Sequence, residues 1–139
     1  MEKFSDAELE AIRAESARAY DLDRAHVFHS WSAQRTLDPM TVSRTEGSYI
    51  YDGEGRPLLD FSSQLVNTNI GHQHPKVVAA IKEQADLICT ISPAHVNAPP
   101  SEAARLITER TPAGLDHVFF TNGGADANEH AIRMARLHT

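Results

Sequence analysis

The stretch Phe119-Phe120-Thr121-Asn122-Gly123-Gly124-Ala125-Asp126-Ala127-Asn128-Glu129 constrains this chain more than any other. An apolar segment runs into a two-glycine turn and passes directly into a helical pattern. Glycine has no Cβ, so at such a turn the backbone N–H groups can approach an anion closely. The first turn of the following helix adds donors with no intrahelical acceptor and a partial positive charge. The residues alone leave two readings open: a phosphate or anion site, or a tight ligand-free turn. A dinucleotide fingerprint would need G-x-G-x-x-G and a P-loop would need Gly-Lys-Ser/Thr, and neither is present.

The rest of the pattern frames that turn. Ser5-Asp6-Ala7-Glu8 has the form of a capping box and opens a helix expected to run to about Tyr20. His26 to Trp31 reads as irregular and holds the only tryptophan. Thr41–Arg44, Ser48–Asp52 and Pro57–Phe61 read as short strands of an antiparallel meander, with Gly47, Gly53 and Gly55 in the turns. Asn67–Gly71 reads as loop. Pro75 suits a helix start, and Val77, Val78, Ile81, Ala85 and Ile88 recur at helical spacing, which predicts a buried stripe. Ser92–Pro100 reads as loop, and Ser101 is expected to cap a helix to about Arg110. His117–Thr121 reads as a strand, and a last helix starts near Ala125. That helix is still in pattern at Thr139 with no stop signal, and the strand before it has no parallel partner. The chain is expected to be a truncated piece: residues 1–60 a helix and small meander, residues 61–139 the start of a larger α/β cofactor-binding domain.

Composition removes several function classes. With 41% hydrophobic and 23% charged residues the chain falls in the globular range. A net charge of −6 with no Lys/Arg cluster argues against nucleic acid. The single cysteine, Cys89, rules out an internal disulfide. No apolar run reaches the roughly 20 residues needed to span a bilayer, and the charged start Met1-Glu2-Lys3 is unlike a secretory signal. A soluble cytoplasmic protein is expected. His72, His74 and His95 lack the spacing of a zinc motif, so no metal is expected.

Four ordered stretches now carry a resemblance. Thr121–Glu129 with Ala131-Ile132-Arg133-Met134-Ala135-Arg136 resembles the phosphate-turn segment of class III (omega) aminotransferases. Glu46–Asp52 with Gly55 and Leu59-Asp60-Phe61 resembles that family's amino-terminal meander, and Asn69–Val77 with Ala80-Ile81 its G-H-x-H-P-x-V-x-x-A-I segment. His29-Ser30-Trp31 falls at its substrate-entrance segment.

The resemblance implies an α/β, fold type I enzyme dependent on pyridoxal 5'-phosphate, transferring an amino group from an amine or amino acid to a keto acid. It implies that Gly123, Gly124 and Ala125 hold the cofactor phosphate, and that Trp31, Leu65 and Val66 line the substrate cavity. The family usually has serine at the place of Ala125, so the hydroxyl contact to phosphate is lost here. The family's cofactor-binding lysine and its partner Asp lie beyond Thr139. Lys3, Lys76 and Lys82 match neither, so no catalytic residue is expected within these 139 residues, and the isolated chain is expected to be inactive. A homodimer is implied for the full-length protein. A phosphate-binding or partner-binding module without catalysis, or a class III aminomutase or decarboxylase, are the alternatives.

Overall fold

The computed structural model describes residues 4–138, which fall into two compact units, one ending at Cys89 and the other beginning at Thr90.

The first unit is built around α1 (Asp6–His26) and a three-stranded sheet. Ser5 caps α1 as its sequence predicts: its hydroxyl accepts from the Glu8 N–H at 3.4 Å, while the Glu8 carboxylate accepts from the Ser5 N–H at 2.7 Å. The helix continues almost two turns past Tyr20. The acidic residues Asp21 and Asp23 would oppose the dipole there, but Arg24 and His26 occupy the last turn, and Asp23 is engaged by His29 at 2.8 Å.

Strands β1 (Val42–Glu46), β2 (Tyr49–Asp52) and β3 (Pro57–Leu59) form an antiparallel meander in the order β1-β2-β3. The register pairs Glu46 with Tyr49 and Arg44 with Tyr51, then shifts between Val42 and Arg44. The Ser43 hydroxyl bridges that irregularity by bonding the carbonyls of Tyr51 and Asp52, at 3.2 and 2.8 Å. Between β2 and β3, Asp52 closes the turn. Its carboxylate accepts from the N–H groups of Glu54 and Arg56, both at 2.9 Å, and from the Arg56 guanidinium. Burial pushes the Asp52 carboxyl up, but these bonds outweigh it and hold the group below its ordinary value.

The α1 helix crosses this turn. Gly55 adopts a φ of +75°, which favours glycine, and a Cβ there would lie 2.7 Å from Leu9 Cδ2 and force that side chain of the helix to shift. Arg13 bonds Glu54 at 2.8 Å, and Phe4 meets Tyr51 edge-on with ring centres 5.6 Å apart. Tyr51, Asp52 and Ser16 are the buried residues of this contact.

After β3 the chain makes a kinked turn, α2 (Ser63–Val66), and then enters α3 (Pro75–Leu87) with Pro75 at its first position. The predicted apolar stripe of α3 is present but not buried: Ile81 is 63% exposed. Hydrophobic periodicity specifies a face, not its partner, and among the described residues no other helix or strand of the first unit packs against this one.

The second unit holds α4 (Ala98–Thr108) and α5 (Gly124–His138). Two expectations fail here. α4 starts three residues before Ser101, with Asn97 at the cap and Pro99-Pro100 inside the first turn, where their missing N–H groups are not needed. Ser101 instead donates its hydroxyl to the Asn97 carbonyl at 2.8 Å. His117–Thr121 is not a strand: it pairs with no ladder among the described residues, and an apolar run becomes a strand only beside a partner.

Candidate cofactor and substrate site

The turn before α5 has the form the sequence suggests. The Ala127 N–H makes the helix's first bond, to the Gly123 carbonyl at 3.0 Å. The N–H groups of Gly124, Ala125 and Asp126 precede that bond and have no intrahelical acceptor. Thr121 steadies the turn by donating its hydroxyl to the Gly123 carbonyl at 3.2 Å. A Cβ placed on Gly123 or Gly124 would meet nothing within 4 Å, and both residues are exposed, so the space around the turn is open. Ala125 is itself exposed. Free donors, open space and the positive end of a 15-residue helix fit a phosphate group. Sequence reasoning passed over His130. Its ring lies 4.7 Å from that of Phe119 and pins the segment before the turn to the body of α5.

In the first unit, Trp31 and the pair Leu65-Val66 sit on two separate irregular loops. Trp31 is fully exposed and has a φ of 57°. Its loop is tied to the end of α1 by the His29–Asp23 pair and by an Arg24 guanidinium bond to the Gln34 carbonyl at 2.9 Å. Leu65 and Val66 are also exposed, in a turn where Ser63, Gln64 and Val66 all have φ between 52° and 59°. Each left-handed non-glycine residue costs roughly 1–2 kcal/mol, so the surroundings must hold the turn in place.

Asp60 supplies that hold. Its carboxylate accepts from Gln64 Nε2 at 3.0 Å, from the Ser62 hydroxyl at 3.1 Å and from the Gln64 N–H at 3.4 Å, and pairs with His72 Nε2 at 2.7 Å. The bonds from Gln64 and then His72 hold this carboxyl far below the ordinary carboxylate range. His72 is itself fixed by two backbone bonds with Gly47, at 3.0 and 2.7 Å. Gly71 makes this approach possible, because a Cβ there would lie 3.1 Å from the Gly47 carbonyl oxygen. No spacing rule links Asp60 to His72, and only the folded meander brings them together.

Trp31, Leu65 and Val66 thus belong to the first unit, and Gly123, Gly124 and Ala125 to the second. Lys76 and Lys82 are exposed on α3, and Lys3 lies outside the described residues. Among the described residues no group of three His, Cys, Asp or Glu side chains is placed to hold a metal ion.

Residues 31–139 match the protein family described as Aminotransferase class-III. The chain is 39% identical over 115 residues to an acetylornithine aminotransferase of Bacillus cereus, covering 83% of this chain and 28% of that protein. An acetylornithine aminotransferase of Methanopyrus kandleri is 40% identical over 101 residues, 73% of this chain and 26% of that one. Among solved structures, a taurine:2-oxoglutarate aminotransferase of Bifidobacterium kashiwanohense, in complex with PLP and glutamate, superposes with a TM-score of 0.80 at 37% identity. It covers 99% of this chain and 28% of its own. An (S)-enantioselective omega-transaminase of Thermomicrobium roseum gives 0.78 at 32%, covering 99% and 30%. The chain belongs to the class III aminotransferases, enzymes of fold type I that depend on pyridoxal phosphate. It spans somewhat over a quarter of the length of the relatives it matches.

Proposed function

We propose that the full-length protein carrying this sequence transfers an amino group between an amine or amino acid and a keto acid, using pyridoxal 5'-phosphate. In this reading Gly123, Gly124 and Ala125 hold the cofactor phosphate, and Trp31, Leu65 and Val66 line the cavity for the amino donor. Residues 61–139 then form the start of the large cofactor-binding domain. The observation that carries the reading is the amino terminus of α5, with unpaired donors on open space in a chain of this family.

When bound, the cofactor supplies the electrophilic centre and electron sink of transamination. The residues of this chain bind and orient. The N–H groups of Gly124 and Ala125 donate to the anionic tail and fix its distance from the helix, with no basic side chain required. Alanine at 125 keeps the N–H and offers no hydroxyl, so at this turn the grip is weaker or is completed elsewhere in the protein. Trp31, Leu65 and Val66 present apolar surface that selects the donor by shape and excludes water from it.

Membership of a homodimer in the cytoplasm is part of the same proposal. It rests on the family to which the chain belongs; the exposed apolar side chains, such as Phe28 and Phe61, need covering by the remainder of the full-length protein or by a second copy. The net charge of −6 supports the expectation of no nucleic-acid partner, and no helix among the described residues is long and apolar enough to cross a membrane.

The test is an assay of the full-length protein, loaded with pyridoxal phosphate, against α-amino acids, ω-amino acids and primary amines, with pyruvate or 2-oxoglutarate as acceptor. Formation of alanine or glutamate from at least one donor is expected. No amino transfer with any pair would overturn the proposal.

A further inference from the structure

The loop that presents Trp31 is organised by one side chain outside the His29-Ser30-Trp31 stretch. The Gln34 carboxamide lies inside the loop and uses all of its principal bonding capacity on the backbone around Trp31. Its Oε1 accepts from the His29 N–H at 3.0 Å, and its Nε2 donates to the carbonyls of His29 at 2.5 Å and Ser32 at 2.9 Å. One amide thereby satisfies both backbone groups of His29 and a third group just past Trp31, much as a neighbouring strand would. The assignment of oxygen and nitrogen follows from the partners: an N–H requires an acceptor, and two carbonyls require donors. Gln34 is itself anchored, because its carbonyl accepts from the Arg24 guanidinium and its residue opens a 3-10 turn to Thr36.

Trp31 makes the need for such a device plain. It is 102% exposed and sits at a φ of 57°, so neither burial nor backbone preference keeps it where it is. An exposed indole with a left-handed backbone would relax into other conformations unless the flanking residues were fixed. The bonds from Gln34 fix them on both sides, at His29 and at Ser32.

We propose that Gln34 is the positioning residue for Trp31, holding the indole in the orientation in which it meets the amino donor. The inference rests on the reading of Trp31 as a donor contact. Gln34 touches neither substrate nor cofactor and acts through the loop.

The experiment is a double-mutant cycle in the full-length holoenzyme, with Trp31→Ala, Gln34→Ala and the double variant. Gln34→Glu is a second probe: it keeps the shape and the acceptor for the His29 N–H, but turns an oxygen toward two carbonyls. An aromatic contact of ordinary strength corresponds to a rise in donor KM of about three- to tenfold, with kcat unchanged. That rise is expected for Trp31→Ala and for both Gln34 variants. The double variant is expected to match Trp31→Ala alone, because Gln34 has nothing left to position. Calorimetric binding of an unreactive carboxylate analogue of the donor should show the same pattern without turnover. The proposal is overturned if the Gln34 and Trp31 effects multiply, or if Gln34→Ala leaves KM and analogue affinity unchanged while Trp31→Ala alters them. Loss of folding in both Gln34 variants also overturns it, by assigning Gln34 to stability. An active enzyme in which Trp31→Ala changes nothing instead removes the reading of Trp31 on which the inference stands.

Discussion

Replacing Ala125 by proline removes one backbone donor from the start of α5 and puts a ring carbon where its hydrogen was. Gly124 is the first residue of that helix and Ala127 makes its first bond, so the Ala125 N–H serves no helical acceptor. Proline is tolerated in this part of a helix, and the chain already places Pro99 and Pro100 in the first turn of α4. The residue before the new proline is a glycine, which lacks the Cβ and so leaves only its N–H to meet the proline ring. A net change in unfolding free energy of less than about 1 kcal/mol is expected. Cofactor affinity should change much more. A hydrogen bond to a charged group contributes about 1.5–3 kcal/mol, which corresponds to a rise in Kd of about 10- to 150-fold.

The assay is an equilibrium titration of full-length apoprotein with pyridoxal phosphate, followed by absorbance, and in parallel with pyridoxal, which lacks the phosphate. The variant should lose affinity for pyridoxal phosphate and keep its affinity for pyridoxal. Equal losses for both, or no loss in a protein of unchanged melting temperature, would refute the reasoning, because the N–H at 125 would then make no contact with the phosphate.

Three further outcomes follow from the same geometry. Ala125→Ser adds a hydroxyl at an exposed position beside the open donors, and should tighten pyridoxal phosphate binding by about three- to tenfold in the same titration. Asp60→Asn should change the pH dependence of stability. The folded-state carboxyl is held far below its ordinary value, so its contribution is fully present above the unfolded value of about 4, declines below it and is lost only as pH falls through the much lower folded value. Denaturant melts from pH 6 to pH 3 should therefore show the gap between wild type and variant starting to narrow below about pH 4 without closing; a constant gap would contradict the assignment. Gly71→Ala should destabilise by more than about 1 kcal/mol in denaturant melts, because φ is +85° and the new methyl would press on the Gly47 carbonyl.

Much of the fold was legible because its signals are local. The capping box of α1, the glycine turns of the meander and Pro75 at the start of α3 each depend on residues a few positions apart. The failures share a physical cause. Among the described residues His117–Thr121 has strand composition but pairs with no strand, and the stripe on α3 has the spacing of a buried face but no helix or strand of its own unit against it. Pro99 and Pro100 read as breakers because proline ends a helix when it lies in the interior, yet it is harmless in the first turn. At the site, the turn from Thr121 to Ala125 could be read directly, since its chemistry lies in consecutive backbone groups. The supports could not. Asp60 reaches His72 across 12 positions and Gln34 reaches back to His29, through contacts that exist only after the chain has folded.

The central claim is that the backbone at the start of α5 holds the cofactor by its phosphate. A crystal structure of the full-length protein with pyridoxal phosphate bound tests it most directly. Phosphate oxygens within about 2.7–3.2 Å of the nitrogens of Gly124 and Ala125 are predicted. A phosphate held by other residues, with these two N–H groups turned to solvent or to protein, would contradict it.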